Sequence, residues 1–347
     1  MQRIMISRRQ ILKGLAYSGA TALAGVPLPA FARGISRQNE GTDLFEVCVS
    51  GKYGFINHSG SLVIKPRFEV AWGFTEGLAC VKLDGKFGFI DPRGEFVILP
   101  RFPYAGDFRD GRASVEINGK WGFIDKSGKV VIPPISETGV GFYEGLAAVR
   151  RYGKFGFIDT LGDVVIPLKY DHASRFSEGL ACVRDGKYFG YINVTGDYVI
   201  SPEFEEASRF SEGLAEVECS RSRYFIDRAG TPFLRDLVFD ECNPFHEGYA
   251  GININRKWGF ISKSGDIKIN QVYDWVGNFS EGLAFVTLII GKALFFGYVD
   301  SSGKMVIQPR EYLMVDEFKK GLAWVTTRSN KSGYINRRGE YVWEPTR

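Results

Sequence analysis

The chain has 347 residues, of which 42 are glycine and 28 are phenylalanine. A hydrophobic share of 44% with 24% charged residues is typical of a globular protein and excludes disorder for most of the chain. The formal net charge is +4, but residues 1–32 contain four basic residues and no acidic one, so the remainder is neutral and shows no signature of nucleic-acid binding.

The first predicted element is an export signal in residues 1–32. Basic residues precede an apolar stretch of about 15 residues and a small-x-small sequence ending at Ala32, the order of a secretory signal peptide that is cleaved there. Arg8 and Arg9, with the Gln-Ile-Leu-Lys that follows them, resemble the twin-arginine translocation signal, and an ordinary secretory signal is the alternative. The apolar stretch is too short and too often interrupted to span a membrane. We therefore expect a bacterial protein that is periplasmic or secreted, with a linker at 33–43.

A repeat of about 34 residues fills 44–347. Its clearest signature is Gly-Phe-Ile or a close variant, and the copies of this signature begin at Gly54, Gly88, Gly122, Gly156, Gly190, Tyr224, Gly259, Gly297 and Gly333. A second signature, Glu-Gly-Leu-Ala, first appears at Glu76 and recurs with variations down the chain. Each copy also contains an Asp-, Asn- or Ser-x-x-Gly turn, and several contain a two-residue hairpin such as Asp84-Gly85.

Between the turns, each copy contains runs of five to seven residues that are rich in β-branched and aromatic side chains, the composition of strands. The repeat has no room for a helix. The sequence therefore predicts an all-β fold, a tandem array of nine three-stranded antiparallel meanders. We expect an open, solenoid-like array, because nine copies of this length fit poorly with the usual number and size of propeller blades. A closed β-propeller is the alternative.

The repeat resembles that of the bacterial WG-repeat, or KWG-repeat, proteins. The sequence Lys-Trp-Gly-Phe-Ile-Asp at 120–125 and Lys-Trp-Gly-Phe-Ile at 257–261 carry the resemblance, which extends over about 44–347. In several other copies Phe or Tyr replaces the tryptophan. The resemblance implies a binding or scaffolding role and brings no catalytic residues with it.

No set of catalytic or metal-ligating residues stands out from the repeat. The three histidines, His58, His172 and His246, occupy different positions in their copies, which disfavours a catalytic triad or a zinc site. Cys80 and Cys182 share a position that accepts many side chains, so we interpret them as packing residues. We therefore expect a non-enzymatic protein with no catalytic residue, no metal site and no cofactor.

Recurring acidic residues could line up as a carboxylate ladder of the kind that cleaves glycosidic bonds or holds calcium. One set belongs to the Glu-Gly-Leu-Ala signature: Glu76, Glu144, Glu178, Glu212, Glu247 and Glu281. The other set begins the four-residue turns: Asp91, Asp125, Asp159, Asp227 and Asp300. Both sets are part of the repeat itself, whereas an active site requires a local departure from it. We interpret both as structural.

The aromatic residue ahead of Gly-Phe-Ile is the candidate binding feature. Five of these residues are expected to form a strip along the array: Phe87, Trp121, Phe155, Phe189 and Trp258. An exposed strip would be an apolar binding surface, whereas a buried one would be the core between repeats. The eighth copy is irregular at 287–297, and insertions in repeat arrays often lie on the binding face.

Two functions fit these features. The first is an exported interaction scaffold that binds a protein or peptide partner. The alternative is a carbohydrate- or cell-wall-binding module that stacks sugars, as a glycan ligand, on the repeat aromatics. The exposure of Trp121 and Trp258 should distinguish them, because buried rings are unable to stack on a sugar.

Overall fold

The computed structural model describes residues 43–346, which form 33 β-strands grouped into nine antiparallel sheets. The predicted export signal, with Arg8, Arg9 and the cleavage site after Ala32, lies outside the described residues. We number the sheets 1 to 9 in chain order. Each sheet has three main strands, and most have a short leading strand before them.

The strand bounds follow the repeat. The first strands are Leu44–Val49, Ala79–Leu83, Ala113–Ile117, Leu146–Arg151, Ala181–Asp185, Leu214–Cys219, Tyr249–Ile254, Leu283–Ile290 and Leu322–Thr326. The second strands are Lys52–Asn57, Lys86–Ile90, Lys120–Ile124, Lys154–Asp159, Tyr188–Ile192, Ser222–Asp227, Lys257–Ser262, Ala293–Asp300 and Ser332–Asn336. The third strands are Leu62–Phe68, Phe96–Phe102, Val130–Ser136, Val164–Tyr170, Tyr198–Phe204, Pro232–Phe233, Ile267–Tyr273, Met305–Glu311 and Tyr341–Thr346. The leading strands are Val70–Ala71, His172–Ala173, Glu206–Ala207, Glu241–Cys242, Trp275–Val276 and Met314–Val315.

The turns between strands have the chemistry that the sequence predicts. In sheet 2 the Asp91 carboxylate accepts hydrogen bonds from the backbone N–H groups of Arg93 at 2.9 Å and Glu95 at 3.0 Å. Asp84 and Gly85 have φ angles of 50° and 75°, the left-handed values that a two-residue hairpin of the I′ type requires. The same contacts recur in other sheets, so local sequence determines where each strand ends.

The glycine of Gly-Phe-Ile marks a close approach between the second and third strands. A Cβ placed on Gly122 would lie 2.6 Å from the backbone oxygen of Ile132, closer than real Cβ contacts come. The strand register shifts at this point in sheet 3 and at the equivalent point in sheet 2, which identifies a bulge. Sheet 6 has Tyr224 at this position, and its third strand is reduced to Pro232–Phe233. The larger side chain thus occurs where the third strand is cut short.

The hydrophobic core lies between successive sheets rather than within one. Phe89 and Ile98 of sheet 2 pack against Val115 and Ile124 of sheet 3, and Phe108 from the intervening connector completes the cluster. Nine clusters of this kind occur in residues 43–346, one for each pair of neighbouring sheets. A single meander buries little apolar surface by itself, so each sheet depends on both neighbours.

The ninth cluster joins the two ends of the array. Phe45 and Val47 of sheet 1 pack against Leu322 and Tyr334 of sheet 9, with 5.5 Å between the ring centroids of Phe45 and Tyr334. The chain therefore closes into a ring of nine sheets. The all-β class and the nine antiparallel meanders are confirmed, and the ring corresponds to the closed β-propeller that the sequence left as the alternative. Apolar faces on both terminal sheets favour closure, because an open array would leave them in water.

Candidate functional site

The five candidate aromatic residues occupy one position on the second strands of their sheets. Phe87 and Trp258 are buried, with 6% and 1% of their surfaces exposed. Trp121, Phe155 and Phe189 are half-buried. The structure therefore divides the set into two core residues and three residues whose rings reach the surface.

In sheets 2 and 3, the candidate rings alternate with aromatic residues from the connectors. The ring centroids of Trp72 and Phe87 are 5.5 Å apart, those of Phe87 and Tyr104 are 6.3 Å apart, and those of Tyr104 and Trp121 are 6.5 Å apart. Consecutive repeats thus contribute to one run of rings. Sequence analysis identified every second member of it, because the intervening residues come from the less regular connectors.

A second run lies in sheets 4 and 5. The imidazole of His172 lies between Phe155 and Phe189, with centroid separations of 6.0 and 5.8 Å. The guanidinium carbons of Arg150 and Arg184 stand over Phe155 and Phe189 at 5.6 and 5.8 Å from the ring centroids. Burial, followed by the charge of Arg184, lowers the pKa of His172, so the imidazole is neutral at pH 7. The result is a half-buried aromatic surface bordered by cations.

The two tryptophans differ because their neighbours differ. Trp258 is enclosed by Tyr273, Phe279 and Trp275, whose ring centroid is 4.9 Å from its own. Trp121 instead lies against Gly139, where a Cβ would stand only 2.3 Å from the indole. The indole of Trp121 therefore packs on backbone at this point, whereas that of Trp258 packs against aromatic side chains.

The irregular segment 287–297 forms a longer hairpin. The strands Leu283–Ile290 and Ala293–Asp300 pair over eight residues each. Near the tip, Ile289 and Ile290 are 49% and 61% exposed. Two adjacent exposed isoleucines make this hairpin a second apolar feature of the surface.

The glutamates of Glu-Gly-Leu-Ala connect neighbouring repeats. Glu144 accepts hydrogen bonds from the N–H groups of Glu178 at 2.7 Å and Gly179 at 2.9 Å. The equivalent bonds run to Glu76 from Gly111, to Asp110 from Gly145, to Glu178 from Gly213, to Glu212 from Gly248, to Glu247 from Gly282 and to Glu281 from Gly321. Each of these acids has a positive φ, an unfavourable conformation for a residue with a side chain. The carboxylates therefore hold the turns together in series.

The other reactive side chains are separated or buried. Burial raises the pKa of the Cys182 thiol to about 12, and that of Cys80 also lies well above its usual value, so both are protonated at neutral pH. No disulfide joins the cysteines of residues 43–346. In residues 43–346, no group of three or more His, Cys, Asp or Glu side chains could hold a metal ion. No helix in the same range is long and apolar enough to cross a membrane.

A small cleft opens where sheets 1 and 9 meet. It is lined by Glu46, Cys48, Tyr53, Trp324 and Tyr334, together with neighbouring residues. Burial, followed by the charges of Cys48 and Glu46, raises the pKa of Tyr53. Sequence reasoning missed this cleft, because its walls come from opposite ends of the chain and meet only when the ring closes.

Comparison with solved structures gives weak overall similarity. Kluyveromyces lactis Hsv2p is 7% identical, with 68% of this chain and 94% of that chain covered and a TM-score of 0.41. The extracellular domain of BT3049 from B. thetaiotaomicron is 9% identical, with 95% of this chain and 60% of that chain covered and a TM-score of 0.31. Similarity at this level carries no argument about function. No curated protein matches the chain significantly.

The family model described as "WG containing repeat" matches eight successive segments: residues 53–87, 87–121, 121–155, 155–188, 189–220, 225–258, 258–288 and 296–330. Each segment extends from the second strand of one sheet into the next sheet, so the matched unit contains one interface between sheets. The matches cover most of the chain, which therefore belongs to the WG containing repeat family.

Proposed function

We propose that the protein is an exported, non-enzymatic scaffold that binds a protein or peptide partner on its half-buried aromatic surface. The observation that carries this proposal is the run of Phe155, His172 and Phe189 with Arg150 and Arg184 at its border. Aromatic residues and arginine are the side chains that contribute most to protein–protein binding energy. Rings that are fixed by their neighbours lose little entropy when a partner covers them.

The recurring acids support a scaffold more than an enzyme. Glu144, Glu178 and Glu212 are engaged by backbone N–H groups of the next repeat. Asp91 and Asp125 are engaged by the backbone of their own turns. A carboxylate that already serves the fold in this way is poorly placed to act as a general acid, a general base or a calcium ligand.

Carbohydrate binding is the second candidate. The half-buried indole of Trp121, next to Tyr104 at 6.5 Å, favours it, since stacking on a sugar requires an accessible ring face. Burial of Phe87 and Trp258 removes two of the five expected stacking rings and weakens this candidate relative to the first.

Export is part of the proposal and depends on residues 1–32. The basic start, the apolar stretch and the small-x-small sequence ending at Ala32 support it.

The test is site-specific photocrosslinking in cells of the native host. A photoreactive phenylalanine analogue replaces Phe155 or Phe189 in separate variants, and the control variant carries it at Tyr152, which is 89% exposed on a nearby hairpin. We expect one defined crosslinked protein at positions 155 and 189 and none at 152. Absence of a crosslink at both test positions, or an equal crosslink at 152, would contradict the proposal.

Carbohydrate binding is tested in parallel. Purified 33–347 and its Trp121→Ala variant are incubated with isolated cell-wall material, and bound protein is measured after sedimentation. Sedimentation that depends on Trp121, with no protein crosslink at 155 or 189, would favour the second candidate.

A further inference from the structure

Two arginines from different connectors stand over the ring of Tyr143, and a third arginine lies in the connector that follows. The guanidinium carbon of Arg109 lies 4.8 Å from the centroid of the Tyr143 ring, and that of Arg175 lies 4.2 Å from it. Arg209 lies in the following connector. Arg209 is exposed, yet partial desolvation of its guanidinium, followed by the charge of Arg175, lowers its pKa, which places the two cations within electrostatic range of each other. We call Arg109, Tyr143, Arg175 and Arg209 the arginine row.

The connectors explain why these side chains meet. The central phenylalanine of each connector is buried, with 1% of Phe108, 2% of Phe176 and 2% of Phe210 exposed. Arg109 follows its phenylalanine directly, whereas Arg175 and Arg209 directly precede theirs. Neighbours of a buried side chain in an extended segment point away from the core.

Two further contacts align the row. Gly141 has no side chain, and its Cβ position is 3.5 Å from Cδ of Arg109, which leaves room for Arg109 to reach Tyr143. The Ser177 hydroxyl donates a hydrogen bond of 2.8 Å to the Phe210 backbone oxygen and holds two successive connectors side by side. The four members of the row therefore come from four successive connectors, with Tyr143 between Arg109 and Arg175.

Two cations of the row, Arg109 and Arg209, take part in no ion pair among the described residues. The nearby acids Asp110 and Glu178 accept hydrogen bonds from the N–H groups of Gly145 at 3.0 Å and Gly213 at 2.8 Å. Neighbouring like charges cost energy that an anionic ligand would remove.

We infer that the arginine row is a docking site for an extended acidic peptide segment of the partner, an inference that rests on the proposed binding function. Guanidinium groups bind carboxylates in a bidentate manner, and stacking on Tyr143 fixes the planes of two of them. The guanidinium carbons of Arg109 and Arg175 are at most about 9 Å apart, since both stand over the Tyr143 ring, and Arg209 extends the row into the next connector. An extended peptide advances about 3.3 Å per residue, so roughly three residues span the distance between the first two cations.

The experiment measures binding of fluorescein-labelled octaglutamate to purified 33–347 by fluorescence anisotropy. The test variant is Arg109→Gln with Arg209→Gln. The control variant is Arg151→Gln with Lys187→Gln, which removes two cations that also stand over tyrosines, Tyr152 and Tyr188. We expect the test variant to bind about tenfold more weakly and the control variant to bind within about twofold of the original protein.

Additional ligands test which chemical class of ligand the arginine row binds. Octaglutamine should not bind, and octaglutamate binding should weaken as salt rises from low to physiological concentration. Equal losses in the test and control variants would overturn the inference, because they would reflect net charge alone. Pyrophosphate competing as strongly as octaglutamate would also overturn it in favour of a compact oxyanion site. Circular dichroism melting curves check that both variants are folded.

The inference and the proposed function fail separately. If octaglutamate binds the test and control variants equally, while a crosslinked partner is still obtained at 155 and 189, the arginine row is not an acidic-peptide site. The proposed scaffold function would then remain intact. Specific octaglutamate binding without any crosslinked partner would leave the row as an acidic-peptide site and contradict the aromatic surface as the main binding face.

Discussion

The carboxylate of Glu212 accepts a hydrogen bond of 2.9 Å from the backbone N–H of Gly248, although the two residues belong to different repeats. A second bond of 2.6 Å comes from the N–H of Glu247, and the Lys263 ammonium lies 3.2 Å away. The next turn is thereby held in its left-handed conformation by the preceding one. A bond of this kind transmits the geometry of one repeat to the next.

Replacing Glu212 with glutamine should weaken this connection. Glutamine keeps an oxygen acceptor but loses the charge, and a hydrogen bond to a charged group is worth more than one to a neutral group. We expect Glu212→Gln to lower the free energy of unfolding by about 1 kcal/mol at pH 7. Urea denaturation, followed by tryptophan fluorescence, measures the free energy of unfolding of both proteins. Glu203→Gln, which removes the same charge from an exposed strand position, should change the free energy much less.

The stability of the ring should fall in acid. Burial alone would raise the pKa of Glu212, but hydrogen bonds from Gly248 and Lys263 outweigh it, and the pKa lies below its usual value of 4.5. A lowered folded-state pKa stabilises the protein above the unfolded-state pKa, and this contribution disappears as the pH falls through the folded-state value. We expect the difference in stability between the original protein and Glu212→Gln to be constant above about pH 5.5 and to shrink below about pH 4.5. A difference independent of pH down to 3 would contradict this account.

The glycine of the bulge should tolerate no side chain. In Gly122→Val the new Cβ would lie 2.6 Å from the Ile132 oxygen, which is part of the backbone and has little freedom to move. We expect a loss of more than about 3 kcal/mol, or failure to fold. Lys126→Ala removes an exposed ion pair of 3.3 Å with Glu76 and should cost about 1 kcal/mol or less. Similar unfolding midpoints for the two variants would show that the close approach is unimportant.

The ion pair between Lys320 and Asp43 should contribute to ring closure. Lys320 stands where most other copies have an acid, and its neighbour is Asp43 at the start of sheet 1 instead of a further Glu-Gly turn. Lys320→Glu should destabilise the ring by roughly 1 kcal/mol through repulsion, and adding Asp43→Lys should recover most of the loss. The double-mutant cycle is measured by thermal unfolding. A double variant no more stable than Lys320→Glu would argue against a direct interaction.

Export should depend on Arg8 and Arg9 as a pair. A receptor that reads paired guanidinium groups should reject lysine even though the charge is conserved, whereas a general secretory signal needs only positive charge. We expect Arg8→Lys with Arg9→Lys to leave the precursor in the cytoplasm, as seen by fractionation and immunoblotting. Normal mature protein in the periplasm would mean that the general secretory route is used.

Local features of this protein are readable from its sequence, and features that depend on several repeats are not. The Asp91 turn and the Asp84-Gly85 hairpin form from a few adjacent residues, so their residue types predict them directly. Ring closure instead depends on whether the outer faces of sheets 1 and 9 fit each other. Phe45 and Tyr334 supply that fit, and no motif distinguishes them from other strand residues.

The candidate site shows the same division. Trp121 and Trp258 occupy equivalent positions, yet one is half-buried and the other has 1% of its surface exposed. The difference arises from Gly139 and Trp275, which belong to connectors.

The arginine row was missed for a related reason, since Arg109 and Arg175 lie on opposite sides of their phenylalanines. The available signal was the arginine directly before Phe176 and Phe210, where the other connectors have Gly, Asp, Pro, Asn or Glu.

The Glu-to-Gly bonds and the closing cluster together restrict how this protein evolves in length. In an open solenoid, duplicating or losing one copy moves an end and leaves every other interface unchanged. In a closed ring, each interface must turn the chain by the same share of a full circle, so a tenth copy would force all nine existing interfaces to change their angle. Variation is therefore expected through substitution within copies and through longer hairpins, such as the one at 287–297, rather than through gain or loss of whole repeats.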